Sequence, residues 1–139
     1  MVRTSRLRGI EVGGETVPRA IDELPLVGLL GACAEGETVV RDAAELRVKE
    51  SDRVQAVVSV LGSMGARVTA AEDGFRVEGL AQLQGAHVDA GGDHRVGMLA
   101  AVAGSVAAGE TRIDDDAVAV SYPGFWKDLG RATGAEVHA

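Results

Sequence analysis

The sequence reads Leu46-Arg47-Val48-Lys49-Glu50-Ser51-Asp52-Arg53, and six of these eight side chains are polar or charged. Apolar residues then recur at helical spacing, at Val54, Val57, Val58, Leu61 and Met64. This periodicity predicts an amphipathic helix over about residues 51–64, with the octet 46–53 on its first turn. A helix N-terminus favours anions, and Lys49 and Arg53 would lie on one face beside it. The octet therefore predicts an anion site in which Glu50 is placed for proton transfer, or alternatively a solvated turn with i,i+4 charge pairs.

The composition indicates one acidic domain with an aliphatic core. At 139 residues the chain has room for a single packed domain, and it is 46% hydrophobic with only 3% aromatic residues. A net charge of −7 argues against a nucleic-acid or anionic-membrane partner. The single cysteine, Cys33, lies in an apolar run, which predicts a buried, unreactive thiol and a cytoplasmic location. We predict no signal peptide and no membrane span, because no apolar run is long enough.

An imperfect internal repeat divides the chain into two units, at about 1–80 and 81–139. The stretch Ala34-Glu35-Gly36-Glu37-Thr38 recurs as Ala107-Ala108-Gly109-Glu110-Thr111, and Gly65-Ala66-Arg67-Val68 recurs as Gly134-Ala135-Glu136-Val137. Each unit has the pattern of helix, Gly-Glu-Thr turn, strand, second helix, Gly-Ala turn and strand.

The predicted elements follow from these patterns. In the first unit we predict strands at 7–12, 38–41, 67–71 and 75–78 and helices at 22–34 and 51–64. In the second unit we predict strands at 87–89, 111–114 and 136–138, an all-apolar and therefore buried helix at 93–107, and a helix at 123–132 with Ser121 as its N-cap. The second unit thus ends in one strand where the first has a pair, and both ends of the chain look abrupt.

The octet resembles the RVKE(S/T)DR motif of the EPSP synthase family, the 3-phosphoshikimate 1-carboxyvinyltransferases. Three further stretches resemble motifs of that family in the same order along the chain: Ile21-Asp22-Glu23-Leu24-Pro25, Asp93-His94-Arg95 and Ser121-Tyr122-Pro123-Gly124-Phe125. The resemblance implies an α+β fold of repeated βαβαββ units, an enolpyruvyl transferase-like α/β prism with helices packed inside sheets. It also implies that residues 1–139 form a single partial domain, the last two units of the second lobe, and that a missing N-terminal lobe is the partner.

The same resemblance assigns the proton-transfer residues. Asp22 matches the aspartate that moves a proton and contacts the shikimate hydroxyl; its alternative interpretation is a helix N-cap. Glu50 matches the carboxylate that handles the methyl and methylene protons of phosphoenolpyruvate.

The resemblance also assigns the anion-binding residues. Lys49 matches the lysine that contacts shikimate 3-phosphate, and Arg53 and Arg95 match the two arginines that grip phosphoenolpyruvate. His94 is assigned either to the same ligand or to a structural hydrogen bond at a helix start. Many family members place a further lysine two residues before the aromatic-proline pair, where this chain has Val120.

The implied activity is enolpyruvyl transfer from phosphoenolpyruvate to shikimate 3-phosphate, without a cofactor or a metal. The run Asp114-Asp115-Asp116 is interpreted as a turn rather than a metal site. Two alternatives remain open: a non-catalytic anion-binding domain, and a fragment of an enolpyruvyl transferase that acts on a UDP-sugar. The octet and Asp93-His94-Arg95 argue against the UDP-sugar enzyme.

Overall fold

The computed structural model describes residue 3 and residues 5–114 and 117–137. Helices lie at Thr16–Arg19 (α1), Leu24–Cys33 (α2), Arg53–Ser63 (α3), His94–Val106 (α4), Val118–Ser121 (α5) and Phe125–Thr133 (α6), with a 3₁₀ helix at Ala44–Val48. Strands lie at Glu11–Val12 (β1), Glu37–Val40 (β2), Arg67–Ala71 (β3), Gly74–Glu78 (β4), His87–Asp89 (β5) and Arg112–Asp114 (β6).

The strands form two sheets. The larger has the order β1-β2-β4-β3, in which β1 is parallel to β2 and the other neighbours are antiparallel. In the smaller sheet β5 and β6 pair in parallel. The apolar side chains of β4, Phe75 and Val77, are both fully buried and lie opposite Val40 and Thr38 of β2.

Helices α2, α3 and α4 pack against one another and against the inner faces of the sheets. No residue from His94 to Ser105 of α4 is exposed, but Val106 at its end is 60% exposed. The prediction of a helix buried on all sides is therefore confirmed for most of its length and wrong at its C-terminal end. Leu24, Leu61 and Leu99, one from each helix, are at most 1% exposed. The α+β prediction is therefore confirmed, with helices inside and strands outside.

The internal repeat of the sequence has a counterpart in the backbone. The N–H of Val39 in β2 donates to the carbonyl of Ile10 at 2.8 Å, and the N–H of Arg112 in β6 donates to that of Ala86 at 2.9 Å. In both halves, the residue three positions after the turn glycine (Gly36 or Gly109) thus donates its N–H to the residue just before the strand that pairs in parallel with its own. The pair β1–β2 and the pair β5–β6 are equivalent parallel ladders.

The sequence predicts that the octet 46–53 lies on the first turn of a helix, and this prediction is wrong. Its first residues end the 3₁₀ helix, and α3 begins only at Arg53. Asp52 is the N-cap, since its side chain accepts a hydrogen bond from the N–H of Gln55 at 3.1 Å. The hydroxyl of Ser51 donates to Asp93 Oδ2 at 2.7 Å, so Ser51 is not the helix cap. Lys49 therefore does not share a helix face with Arg53.

Several predicted boundaries are also wrong. Of the strand predicted at 7–12, the regular part is β1, Glu11–Val12. Before β1, Arg8 forms an isolated bridge with Glu35. Ser121 ends α5 rather than capping α6, whose N-cap is Gly124. The strand predicted at 136–138 is irregular backbone at 136 and 137, and residue 138 is outside the described residues.

Cys33, predicted to be buried, is exposed. It is the last residue of α2 and lies on the same face as Leu26 and Leu30, which are 38% and 53% exposed. The helix is apolar on all sides, so its sequence does not tell which face is turned away from the core.

Candidate active site

Arg53 is at the centre of a charged cluster that joins three parts of the chain. It is the first residue of α3, and its side chain is only 1% exposed. Its Nη1 donates to Asp22 at 2.8 Å, its Nη2 to Glu50 at 2.6 Å and its Nε to Asp93 at 2.9 Å. A planar guanidinium has five N–H donors and can serve several carboxylates at once. Arg53 therefore gathers carboxylates from positions up to 40 residues away in the sequence.

Asp93, the N-cap of α4, is the fully buried member of this cluster. Its Oδ2 accepts from Arg53 and from the Ser51 hydroxyl, and its Oδ1 accepts from the N–H of Arg95 at 2.9 Å. Burial alone raises the pKa of Asp93, but these hydrogen bonds outweigh it and hold the pKa below its usual value. Burial likewise disfavours the charged form of Arg53, yet Asp93, Glu50 and Asp22 together raise its pKa.

The cluster opens to solvent at Asp22 and Glu50, whose side chains are 42% and 53% exposed. Asp22 lies just before α2 and is not its N-cap, a position that Glu23 occupies without a side-chain cap bond. Arg95 borders the same opening at 35% exposure, with its Nη2 3.6 Å from Asp22. That separation is longer than a hydrogen bond, so the guanidinium of Arg95 is less fully hydrogen-bonded than that of Arg53.

The other two predicted ligand residues, Lys49 and His94, have different surroundings. Lys49 follows the 3₁₀ helix and pairs through its Nζ with Glu45, its i−4 neighbour. His94 is the first residue of α4 and is half-buried between the cluster residues Asp93 and Arg95. The ligand roles of both remain predictions.

The family model of EPSP synthase (3-phosphoshikimate 1-carboxyvinyltransferase) matches residues 1–129 of this chain. The chain belongs to the EPSP synthase family. The 3-phosphoshikimate 1-carboxyvinyltransferase of Herpetosiphon aurantiacus is 56% identical over 127 residues, which are 91% of this chain and 30% of that protein. The enzyme of the same name from Bacillus cereus is 49% identical over 133 residues, 95% of this chain and 31% of that protein.

Solved structures show the same relationship. EPSP synthase from Acinetobacter baumannii superposes with a TM-score of 0.85 at 39% identity, over 92% of this chain and 30% of that chain. The enolpyruvyl transferase NikO from Streptomyces tendae superposes with a TM-score of 0.78 at 25% identity, over 98% of this chain and 30% of that chain. The chain therefore spans about 30% of the length of the relatives it matches.

Two residues of the octet, Arg47 and Ser51, make structural contacts that the sequence did not predict. Arg47 donates from Nε to the carbonyl of Glu72 at 2.8 Å and from Nη1 to Asp52 at 2.7 Å, which ties the octet to the turn between β3 and β4. Ser51 anchors the buried Asp93. Both stand in the octet, so their presence in the motif was the available signal, but their partners are distant in sequence.

Other sequence predictions concern residues outside the cluster. Val120, in the position of the family lysine, is 83% exposed on α5. Asp114 pairs with His87 at 2.7 Å, while Asp115 and Asp116 lie outside the described residues. Within the described residues, no three His, Cys, Asp or Glu side chains are grouped so that they could hold a metal ion. No helix in the described part of the chain is long and apolar enough to cross a membrane.

We expect the buried Asp93 to make the free energy of unfolding depend on pH. Because its folded pKa is below the ordinary value, its stabilisation is complete above about pH 4 and is lost as the pH falls through the lower folded pKa. Urea unfolding at several pH values measures this dependence. Asp93→Asn should reduce stability near neutral pH and flatten the decline below about pH 4; Asp89→Asn, at an exposed site, is the control. An unchanged acid slope in Asp93→Asn would contradict the assignment.

Proposed function

We propose that this chain is the C-terminal part of a 3-phosphoshikimate 1-carboxyvinyltransferase and supplies one half of its active site. The observation that carries the proposal is the cluster in which one buried arginine holds Asp22 and Glu50 at a solvent-exposed opening, with Arg95 beside them. Carboxylates for proton transfer next to cations for anionic ligands are what enolpyruvyl transfer requires. The single cysteine, expected for a reducing compartment, supports a cytoplasmic location.

Asp22 and Glu50 are the proposed proton-transfer groups. In the reaction, the 5-hydroxyl of shikimate 3-phosphate attacks C2 of phosphoenolpyruvate, C3 gains a proton, and the hydroxyl proton is taken up by a carboxylate. The tetrahedral intermediate then loses phosphate as a proton leaves C3. Both carboxylates are bonded to the same guanidinium within 2.8 Å, which restrains their orientation before a ligand binds.

The cations are proposed to have unequal roles. The guanidinium of Arg53 donates four of the hydrogen bonds that the structure describes, through Nε, Nη1 and twice through Nη2. Of its five N–H donors, one on Nη1 is therefore left for a ligand. Arg53 can contact phosphoenolpyruvate through that group or by exchanging Asp22 or Glu50 for the ligand. Arg95 is the more accessible cation, so we propose it as the first contact for phosphoenolpyruvate. Lys49 is proposed to contact shikimate 3-phosphate after release from Glu45. His94 remains a proposed additional contact.

Phosphoenolpyruvate is expected to bind weakly to the isolated chain, and Arg95→Gln is expected to weaken that binding by about tenfold, roughly 1.4 kcal/mol. Removing one charged, partly exposed donor accounts for a loss of this size. Amide chemical-shift titration measures the dissociation constant and should move resonances at the starts of α3 and α4.

Arg67→Gln is the matched control, because Arg67 is 79% exposed on β3 and pairs with the surface residue Glu78. Equal weakening by the two substitutions would indicate general charge attraction instead of a site. Shifts that spare both helix starts would reject the proposed function of the cluster.

A further inference from the structure

The turn between β3 and β4 contacts the connecting segment, residues 42–52, which leads from β2 to α3. The turn is Glu72-Asp73, at the end of a regular antiparallel ladder. A β-carbon on Gly74, the first residue of β4, would overlap the carbonyl group of Val40, so only glycine lets the hairpin come this close to the end of β2. The turn is therefore fixed beside the point where the connecting segment begins.

Asp73 holds the start of the connecting segment. Its carboxylate accepts a hydrogen bond from the N–H of Asp42, and its carbonyl accepts one from the N–H of Ala43, both at 2.7 Å. Asp42 has a φ of +59°, a left-handed conformation that is uncommon for a residue with a side chain and persists where surrounding contacts hold it. The direction in which the chain leaves β2 is thus held by the turn.

Arg47 ties the later part of the connecting segment to the same turn. Its Nε donates to the carbonyl of Glu72 at 2.8 Å, and its Nη2 donates to the carbonyl of Ala71. Its Nη1 donates at 2.7 Å to Asp52, the N-cap of α3. A planar guanidinium that serves three acceptors at once has a fixed orientation. The connecting segment is therefore bonded to the turn on both sides of its 3₁₀ helix.

Lys49 and Glu50 lie in the stretch that these contacts anchor. Each forms an ion pair, but the carboxylates of the two pairs, on Glu45 and Glu50, are 57% and 53% exposed. Exposed ion pairs compete with water and restrain position weakly. Val48, directly before them, is 79% exposed and contributes little packing. The backbone at both residues therefore depends on the contacts between the segment and the turn.

We propose that Arg47 and Asp73 are positioning residues, which hold Lys49 and Glu50 in place for shikimate 3-phosphate from a turn outside the charged cluster. The inference rests on the proposed function for the ligand roles of Lys49 and Glu50. Charged groups are effective only in the productive geometry, and a displacement of about 1 Å can cost about 10²-fold. Arg95 lies on α4, outside the connecting segment, so the contact of phosphoenolpyruvate with Arg95 should not depend on the turn.

The order of the backbone tests the anchor itself. Arg47→Met removes all three donated hydrogen bonds, and Asp73→Ala removes the carboxylate acceptor. ¹⁵N relaxation should give order parameters of about 0.85 for the amides of Lys49 and Glu50 in the wild-type chain, and values below about 0.6 in both variants. Asp73→Asn, which keeps an oxygen acceptor, should retain the order. Glu72→Ala is the matched control, because Glu72 is exposed and contributes its main-chain carbonyl, which the substitution keeps.

Ligand binding distinguishes positioning from a general loss of structure. Affinity for shikimate 3-phosphate should fall at least about tenfold in Arg47→Met and in Asp73→Ala, while affinity for phosphoenolpyruvate should change by less than about twofold. Urea unfolding shows whether each variant is folded; if Arg47→Met is not, the comparison of Asp73→Ala with Asp73→Asn decides. Wild-type order at both amides, unchanged affinity for shikimate 3-phosphate, or equal weakening for the two ligands would overturn the proposal.

Failure of the proposed function has a different outcome. A wild-type chain that binds neither ligand would reject the proposed function of the cluster. The order of Lys49 and Glu50 in the variants would still decide whether the turn holds them, because that measurement needs no ligand.

Discussion

The 139-residue chain on its own is expected to release no phosphate from phosphoenolpyruvate when shikimate 3-phosphate is present. Orienting two reactants contributes on the order of 7–11 kcal/mol to such a reaction. The chain spans about 30% of its relatives and offers carboxylates and cations on one side of an open site. Ion pairs that face bulk water contribute roughly 0–1 kcal/mol, so anion binding should persist while turnover should not. A coupled phosphate-release assay measures this directly.

Turnover should appear when the rest of the enzyme is added in trans, for example the part of the Herpetosiphon aurantiacus relative that this chain does not match. Asp22→Ala or Glu50→Ala in this chain should then lower kcat by about 10²–10⁴, the usual contribution of a general acid or base. Glu35→Ala is the control, since Glu35 is an exposed carboxylate outside the cluster. Turnover by the chain alone, or rescue that neither substitution reduces, would reject the assigned roles.

Asp93→Ala is expected to lower the free energy of unfolding by about 3–5 kcal/mol. It leaves the guanidinium of Arg53 buried with part of its charge uncompensated, and uncompensated buried charge has this cost. It also removes the N-cap of α4, which contributes about 1 kcal/mol. Urea unfolding monitored by circular dichroism gives the value.

Asp52→Ala provides the comparison, because Asp52 caps α3 but is only partly buried, so its removal should cost only about 1 kcal/mol. The double variant Arg53→Met with Asp93→Ala should be less destabilised than the sum of its two single variants, since neither charge is then left unpaired. Additive losses, or an Asp93→Ala loss no larger than that of Asp52→Ala, would show that the pair is not energetically coupled.

Sequence alone determined the elements whose pattern is local. The amphipathic spacing after Arg53 predicted most of α3, and the apolar residues from Val96 onward predicted the burial of most of α4. The family followed from the octet and from Asp93-His94-Arg95, because these motifs are contiguous in the chain. Periodicity and contiguous motifs need no knowledge of what packs against them.

Tertiary structure alone decided the features that depend on distant partners. The sequence places Asp93 at the start of a helix, but only the structure shows that its carboxylate accepts a hydrogen bond from Arg53, 40 residues away. The exposure of Cys33 depends on which face of an apolar helix meets the core. Ser51 binds the distant Asp93, while its neighbour Asp52 caps α3. In each case the deciding free energy comes from burial or charge pairing between segments far apart in sequence, which no local pattern records.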